Sequence, residues 1–322
     1  MGDLITADTP GLLAVAFLIG IVVGLTGMGG GALMTPALIF LGVGDAATVV
    51  TPTAAVANDL TAAAINKTVG AAVHYKHGSP NLKLAKWLII GSVPTSFAGA
   101  WIIDAMGADA DQQAFVKKAI GIALLLTAVT FSLRIYLEMR RGFQDDPNRP
   151  DPAVRPLPTL IVGAIGGLLV GMTSVGSGSL IMISLLLLYP TLSARKLVGT
   201  DLVQAIPLVL SAAISHMIVS GIDWEILLPL IIGGSPGTFV GARLAAYTSQ
   251  SILRRGIAIV LTLTGLGLLK LPPVWVGILG AAMVILGPVV WGLIKHAHGR
   301  PAFQHFGAGK RSPESQHISK GN

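Results

Sequence analysis

Apolar stretches of about the length that crosses a bilayer recur along this chain from residue 11 to residue 294, and that recurrence decides its solvent. A hydrocarbon core about 30 Å thick is spanned by a helix of about twenty apolar residues. The stretches fall at 11–26, 31–42, 47–72, 86–106, 115–137, 158–175, 178–190, 197–219, 225–246, 251–270 and 273–294. Charged residues make up 11% of the chain, against about a quarter of a soluble domain, and the mean hydropathy is +0.75. That supply cannot clothe the surface of a soluble fold of 322 residues. No run of short, alternating, turn-bounded segments suggests a barrel, so helices are the spanning structure. The expectation is an all-α polytopic membrane protein, multi-pass in the inner membrane of the cell.

Other classes lose support on the same reading. The start, Met1 to Asp8, has no basic region ahead of an apolar one, so no signal peptide is read there. Gly2 and Thr6 fit a myristoylation pattern, but a chain with many spans needs no lipid anchor. With no cysteine, disulfides, thiol catalysis and thiolate metal sites are excluded, and no metal or cofactor is expected. The net charge of +7 sits in loops and tail, where it reports orientation rather than a nucleic-acid partner.

A polar, proline-rich stretch at 138–156 divides the chain near its middle and reads as an exposed linker. The expected organisation is a first transmembrane repeat at 1–137, a cytoplasmic linker at 138–156 and a second repeat at 157–270. An additional helix at 271–295 and a disordered cytoplasmic tail at 296–322 complete it. The halves resemble each other. Gly20, Gly24, Thr26, Gly29 and Gly31 match Gly167, Gly171, Thr173, Gly176 and Gly178 at a constant offset, and 94–100 aligns with 236–242. In each half a glycine cluster separates two apolar segments read as too short to span comfortably, which suits a hairpin entering and leaving on one side. The loop from Lys76 to Lys86 is basic and reads as cytoplasmic, whereas its counterpart at 220–225 carries Asp223 and Glu225 and no base. Corresponding loops then lie on opposite sides, as expected of two inverted repeats, each a Gly-broken hairpin plus three transmembrane helices.

The glycine breaks point to function. A half-helix starting at Gly31, and a twin starting near Ser179, would aim free N–H groups and positive dipole ends at a shared site near the midplane. Such a site suits a small anion. Thr26, Gly27, Gly29, Gly30 and Gly31 in one half, and Thr173, Ser174, Gly176, Ser177, Gly178 and Ser179 in the other, are its expected lining. Gly20, Gly24, Gly167 and Gly171 are instead read as packing glycines. A second irregular pair, around Pro52 and around Gly199, is expected to kink its helices and to add Thr53, Asn58, Thr200 and Gln204. Asp59 and Asp201 are the candidates for proton coupling, since ionisable residues inside spans are functional by default. Asp59 is placed about 13 residues into its helix. Lys67, Arg134, His216 and Arg243 are read as snorkelling near helix ends.

With Gly27-Met-Gly-Gly-Gly31 and Pro36, Val175-Gly-Ser-Gly178, Val198-Gly-Thr200, the basic loop ending at Gly78 and Gly221-Ile-Asp-Trp224 in view, the chain resembles the TauE/SafE sulfite exporter family, also called TSUP transporters. The resemblance covers roughly 12–290 and departs from the commonest pattern at 51–53 and at Asn58-Asp59. It implies transport of sulfite, sulfonates or related anions. A passive anion channel is the nearer alternative. An intramembrane hydrolase using Ser177 and His216 is the more distant one, and no enzymatic activity is expected.

Overall fold

The computed structural model describes residues 9–26, 30–41, 50–74, 80–107, 110–141, 151–176, 178–245, 247–248 and 250–297. Among them are eleven α-helices and no strand. They are α1 (Thr9–Thr26), α2 (Gly31–Leu41), α3 (Pro52–His74), α4 (Leu82–Asp104), α5 (Ala110–Arg141), α6 (Pro156–Thr173), α7 (Leu180–Leu188), α8 (Ala194–Val219), α9 (Trp224–Leu244), α10 (Gln250–Leu268) and α11 (Pro273–Ala297). Each expected apolar segment is one helix. Seven of the helices are long and apolar enough to cross a bilayer. Large apolar side chains such as Leu18, Val129 and Ile165 point outward, as they do where lipid is the solvent. The chain forms two compact units, Met1–Val276 and Gly277–Asn322. The second holds most of α11, an apolar helix whose Ile285 and Leu293 are exposed.

Three expectations are corrected. The first segment of each half is not short: α1 and α6 each run 18 residues, about 27 Å, and both are among the seven candidate spans. Only α2 and α7, with 11 and 9 residues, are half-length. Pro52 does not kink α3 but begins it, because a first-turn proline gives up no helical hydrogen bond. Asp59 therefore lies seven residues into α3, about 10 Å, not thirteen. Around Gly199 α8 is continuous, with Thr200 Oγ1 donating to the Lys196 carbonyl at 2.6 Å.

Glycine sets the architecture of the first unit. A Cβ on Gly20 or Gly24 would strike the backbone of Gly234 or Thr238, and one on Gly233, Gly237 or Gly241 would strike that of Leu13, Phe17 or Ile21. So α1 and α9 touch backbone to backbone, and because both sets of numbers rise together they run parallel. The same holds for α4 on α6, where Gly91, Gly99, Gly163, Gly167 and Gly171 meet the opposing main chain. Small residues let helices approach this closely in lipid, where no hydrophobic drive holds them together. The packing role expected of Gly20, Gly24, Gly167 and Gly171 is thus met. Between α5 and α10, Gly121 faces Gly265 and Leu269 while Leu125 faces Gly265, so these two run antiparallel. The contact between α3 and α8 completes the junction, with α3 also on α9 and α8 on α4. Exchanging the halves (α1 for α6, α4 for α9, α3 for α8, α5 for α10) maps this set of pairings onto itself.

Overpacking a close helix contact costs about 1–3 kcal/mol, sometimes more. Gly24→Leu should lower the thermal midpoint of the purified protein by several degrees or abolish its folding. Gly256→Leu, where a Cβ meets open space, should leave the midpoint unchanged. Thermal unfolding followed by size-exclusion chromatography reads both.

Candidate functional site

The breaks in the two halves meet each other. α6 ends with Ser174 in the left-handed region at φ 60°, and Gly176 follows at φ 103°, a value that suits glycine. A Cβ on Gly31 would fall on the Ser174 carbonyl, so the start of α2 rests directly on the end of α6. From this junction Ser174 Oγ donates to Asp59 Oδ2 at 2.7 Å, and Thr35 Oγ1 on α2 donates to the same oxygen at 2.6 Å. Asp59 is 2% exposed, and Gly30 lies over its other oxygen, Oδ1. One carboxylate on α3 therefore ties α2 of the first half to the end of α6 in the second.

Beside it lies a cavity of about 60 Å³ whose wall is mostly apolar, with Asp59, Asn66, Lys67, Asp201 and Thr238 as its polar side chains and Gly20, Gly24, Gly30 and Met34 among the rest. One water needs roughly 10–15 Å³ on this measure, so the cavity holds a few waters or one small ion. Lys67 stands within electrostatic reach of both Asp201 and Asp59, and Asp201 is also near Arg134. Asn66 Oδ1 accepts from Ser235 Oγ at 2.6 Å. Thr238 Oγ1 is buried with no hydrogen-bond partner among the described residues. The cavity thus gathers two carboxylates, an ammonium, an amide and an uncommitted hydroxyl.

Of the residues expected at a site, Gly30, Asp59 and Asp201 line this cavity, and Gly31 and Ser174 brace it. Gln204 stands beside it, donating weakly to Asp201 Oδ1 at 3.4 Å and near Ser92 Oγ at 3.5 Å. Others are committed elsewhere. Thr26 and Thr173 turn their hydroxyls back onto Val22 and Leu169 of their own helices. Thr53 bonds Gln113, and Thr200 accepts from the Asn81 amide at 3.0 Å. Asn58 Nδ2 donates to the Ala54 carbonyl. Gly176 packs near Leu169 and Thr127, Ser179 precedes α7 without a side-chain cap, and Gly178 is buried in the turn between α6 and α7. Gly27, Gly29 and Ser177 lie outside the described residues.

Lys67, Asn66 and Thr238 were not anticipated. Lys67 was assigned to a helix end, but α3 continues to His74, which leaves Lys67 about two turns inside and facing the cavity. His216 does not snorkel either. It is fully buried, and its Nε2 lies 2.7 Å from the Gly171 carbonyl, so Nε2 carries the proton and ties α8 to α6. Arg243, stacked 4.3 Å over the exposed Phe239 ring, does fit a helix-end position. The signal for Lys67 was present, since charged and amide side chains crowd one otherwise apolar helix. For Thr238 there was none.

Charges turned inward around a cavity, in a bundle whose outer face is apolar, define a polytopic membrane protein of the transporter class. The chain belongs to the TauE/SafE sulfite exporter family, whose model matches residues 12–268. It is 34% identical over 263 residues to the probable membrane transporter protein YjnA of Bacillus subtilis strain 168, covering 80% of this chain and 98% of that one. It is 26% identical over 260 residues to the probable membrane transporter protein YdhB of the same strain, covering 80% and 99%. No solved structure matches it significantly. The protein is a multi-pass membrane transporter, not an enzyme.

A hydrogen bond to a charged group contributes about 1.5–3 kcal/mol. Thr35→Val and Ser174→Ala should each destabilise the protein by that amount. The double variant should differ from the sum of the singles, because both hydroxyls serve one oxygen. Denaturant unfolding in detergent checks the cycle.

Proposed function

We propose that this chain is a secondary carrier of a small anion across the inner membrane, with sulfite, a sulfonate or a related organic anion as cargo. The anion binds beside Lys67 and is coupled to protons at Asp59 and Asp201. One observation carries the reading: two carboxylates and a lysine face one cavity in an otherwise apolar bundle. Lys67 supplies the positive charge that an oxyanion needs, and Thr238 and Asn66 supply polar atoms near it. Gly30 admits the backbone close to the cargo just ahead of the positive end of α2. The family description, sulfite exporter, favours a sulfur oxyanion.

Proton coupling follows from charge balance. Among the groups that line the cavity, with Arg134 near Asp201 but outside the lining, the ionised carboxylates outweigh the ammonium by one charge, and a further anion in so small a volume is repelled. Protonation of both carboxylates reverses the sign. Anion occupancy and carboxylate protonation therefore favour each other, and linkage makes that preference reciprocal. The direction of transport then follows the gradients.

The halves are read as inverted repeats, each a hairpin with three further spans. Their matched helices α5 and α10 run antiparallel, which a two-fold axis in the membrane plane requires and one along the membrane normal forbids. The loop charges agree, with the turn at 220–223 outside and the start of α4 and the 138–156 linker inside. The domain boundaries expected from the sequence are proposed together with this reading. In the absence of native cysteine, Lys83→Cys and Ser220→Cys should react with a membrane-impermeant thiol reagent from opposite faces of intact cells and inverted vesicles. Labelling from one face would exclude inversion.

The carrier reading is tested with sulfite in proteoliposomes. Lys67→Met should cut uptake at least tenfold. Asp59→Asn should retain sulfite exchange while losing the accumulation that an imposed pH gradient drives. Wild-type accumulation by Lys67→Met would remove the anion site from this cavity.

A further inference from the structure

The contact of α4 with α8 and that of α9 with α3 are matched by the duplication, yet they are not bonded alike. Val56, Asp59, Leu60 and His74 on α3 recur as Val198, Asp201, Leu202 and His216 on α8, at the same offset that relates 94–100 on α4 to 236–242 on α9. α8 is bonded to α4 along its length. Thr200 Oγ1 accepts from the Asn81 amide at 3.0 Å, and Ser96 Oγ donates to the Leu208 carbonyl at 3.1 Å. Ser211 Oγ donates to the Val93 carbonyl at 2.9 Å and Ser215 Oγ to that of Phe97 at 2.5 Å. His216 adds its bond to Gly171 on α6. Between α9 and α3, Ser235 Oγ donates to Asn66 Oδ1 at 2.6 Å, but one turn further on the pattern fails. Thr238 matches Ser96, and its buried hydroxyl has no partner among the described residues. The carbonyl that matches that of Leu208 belongs to Asn66, which lines the same cavity as Thr238.

We infer that Thr238 is an idle latch, whose hydroxyl closes on the Asn66 carbonyl in a second form of the carrier as Ser96 closes on Leu208 in this one. The inference rests on the carrier reading and on the exchange of halves that inverted repeats permit. In the present form α8 is docked on α4 and α6, while the inner cavity lies between α3 and the α1–α9 pair. In the second form α3 docks on that pair and α8 leaves its own. A buried hydroxyl left unmet is a cost that the second form removes, and the loss of the Ser96 bond is what it incurs. The two forms are balanced by such exchanges.

The cavity also has a side. α4 and α8 start together, where the Asn81 amide meets Thr200, and the short connection from α8 to α9 puts the start of α9 on the opposite side. Thr238 lies fourteen residues, about 21 Å, along α9, and Asp201 lies seven residues, about 10 Å, into α8. The cavity therefore reaches toward the side on which α4 begins. Ala63 and Ala205 are matched residues and both line it, so a cysteine at either position lines it in both forms.

A single reporter in this cysteine-free chain tests the latch. Ala63→Cys is labelled with a small membrane-impermeant methanethiosulfonate in intact cells and in inverted vesicles. It should react at least threefold faster from the face that labels Lys83→Cys, at the start of α4, than from the face that labels Ser220→Cys. Adding Thr238→Val should slow reaction from the Ser220 face at least threefold and spare the other face. Thr238→Ser, which keeps the hydroxyl, should restore the rate. Ser96→Ala, which loosens the contact made in this form, should speed reaction from the Ser220 face at least threefold. Should Ala63→Cys not fold, Ala205→Cys serves as the reporter. The inference is overturned by labelling that does not favour the Lys83 face, or by Ser96→Ala that fails to raise the rate from the Ser220 face. It is equally overturned by a Thr238→Val protein whose rate from the Ser220 face is unchanged or falls no more than the other. The labelling uses no cargo, so a protein that labels as expected but takes up no sulfite keeps the latch and loses only the proposed cargo.

Discussion

Backbone contact between helices, made possible by glycine, is what the rest of this structure depends on. In lipid, apolar side chains gain nothing by turning toward each other, so association rests on close van der Waals packing and interhelical hydrogen bonds. The facing glycines of α1 and α9, and of α4 and α6, bring main chain against main chain. Each of these pairs joins one half of the chain to the other, so the halves cannot separate without losing both contacts. That closeness brings the end of α6 onto the start of α2 and puts Ser174 Oγ within 2.7 Å of Asp59.

Burying a charge in a membrane helix costs about 2.5–3.5 kcal/mol on insertion scales, and more on others. The bundle meets the cost at Asp59 by concentrating donors on it. Two hydroxyls from two different helices converge on Oδ2, and Oδ1 lies under Gly30 beside the cavity. Lys67 and Asp201 are set so that each charge has an opposite one within reach. A group held this firmly on one side and facing a small cavity on the other is well placed to respond to what enters that cavity. Its supports are fixed, and the contents are not.

Much of this was legible in the sequence, for identifiable reasons. Eleven apolar runs broken by Gly, Pro and charged residues mark eleven helices, because lipid forces every spanning backbone group into a helical ladder. The Gly20/Gly24 and Gly167/Gly171 spacing signalled packing, and Asp59 and Asp201 stood out as ionisable groups in apolar surroundings. The partners were not legible. Nothing in α1 says that its glycines meet those of α9 rather than those of a neighbour in sequence, so Thr238 could not be placed beside Gly24 or the cavity. Lys67 was misread through a helix boundary, since an end placed at 72 makes a lysine at 67 look terminal. Pro52 was misread in the same way, because a proline inside an apolar run looks like a kink until the helix is seen to start there.

The scaffold keeps its form when the halves are exchanged, but the polar lining does not. Gly20 and Gly24 have counterparts in Gly167 and Gly171, and the pairing of α1 with α9 has its counterpart in that of α6 with α4. Asp59, Asn66 and Lys67, by contrast, all stand on α3, while α8 contributes Asp201 and α9 contributes Thr238. Under the proposed inverted-repeat reading, exchanging the conformations of the halves would give a second packing with the same set of helix contacts. What separates them in energy is then the charge set carried by α3 and α8, together with whatever neutralises it. On that reading, occupancy of one small cavity would act on the whole bundle, because the glycine contacts would leave the balance to a few charges.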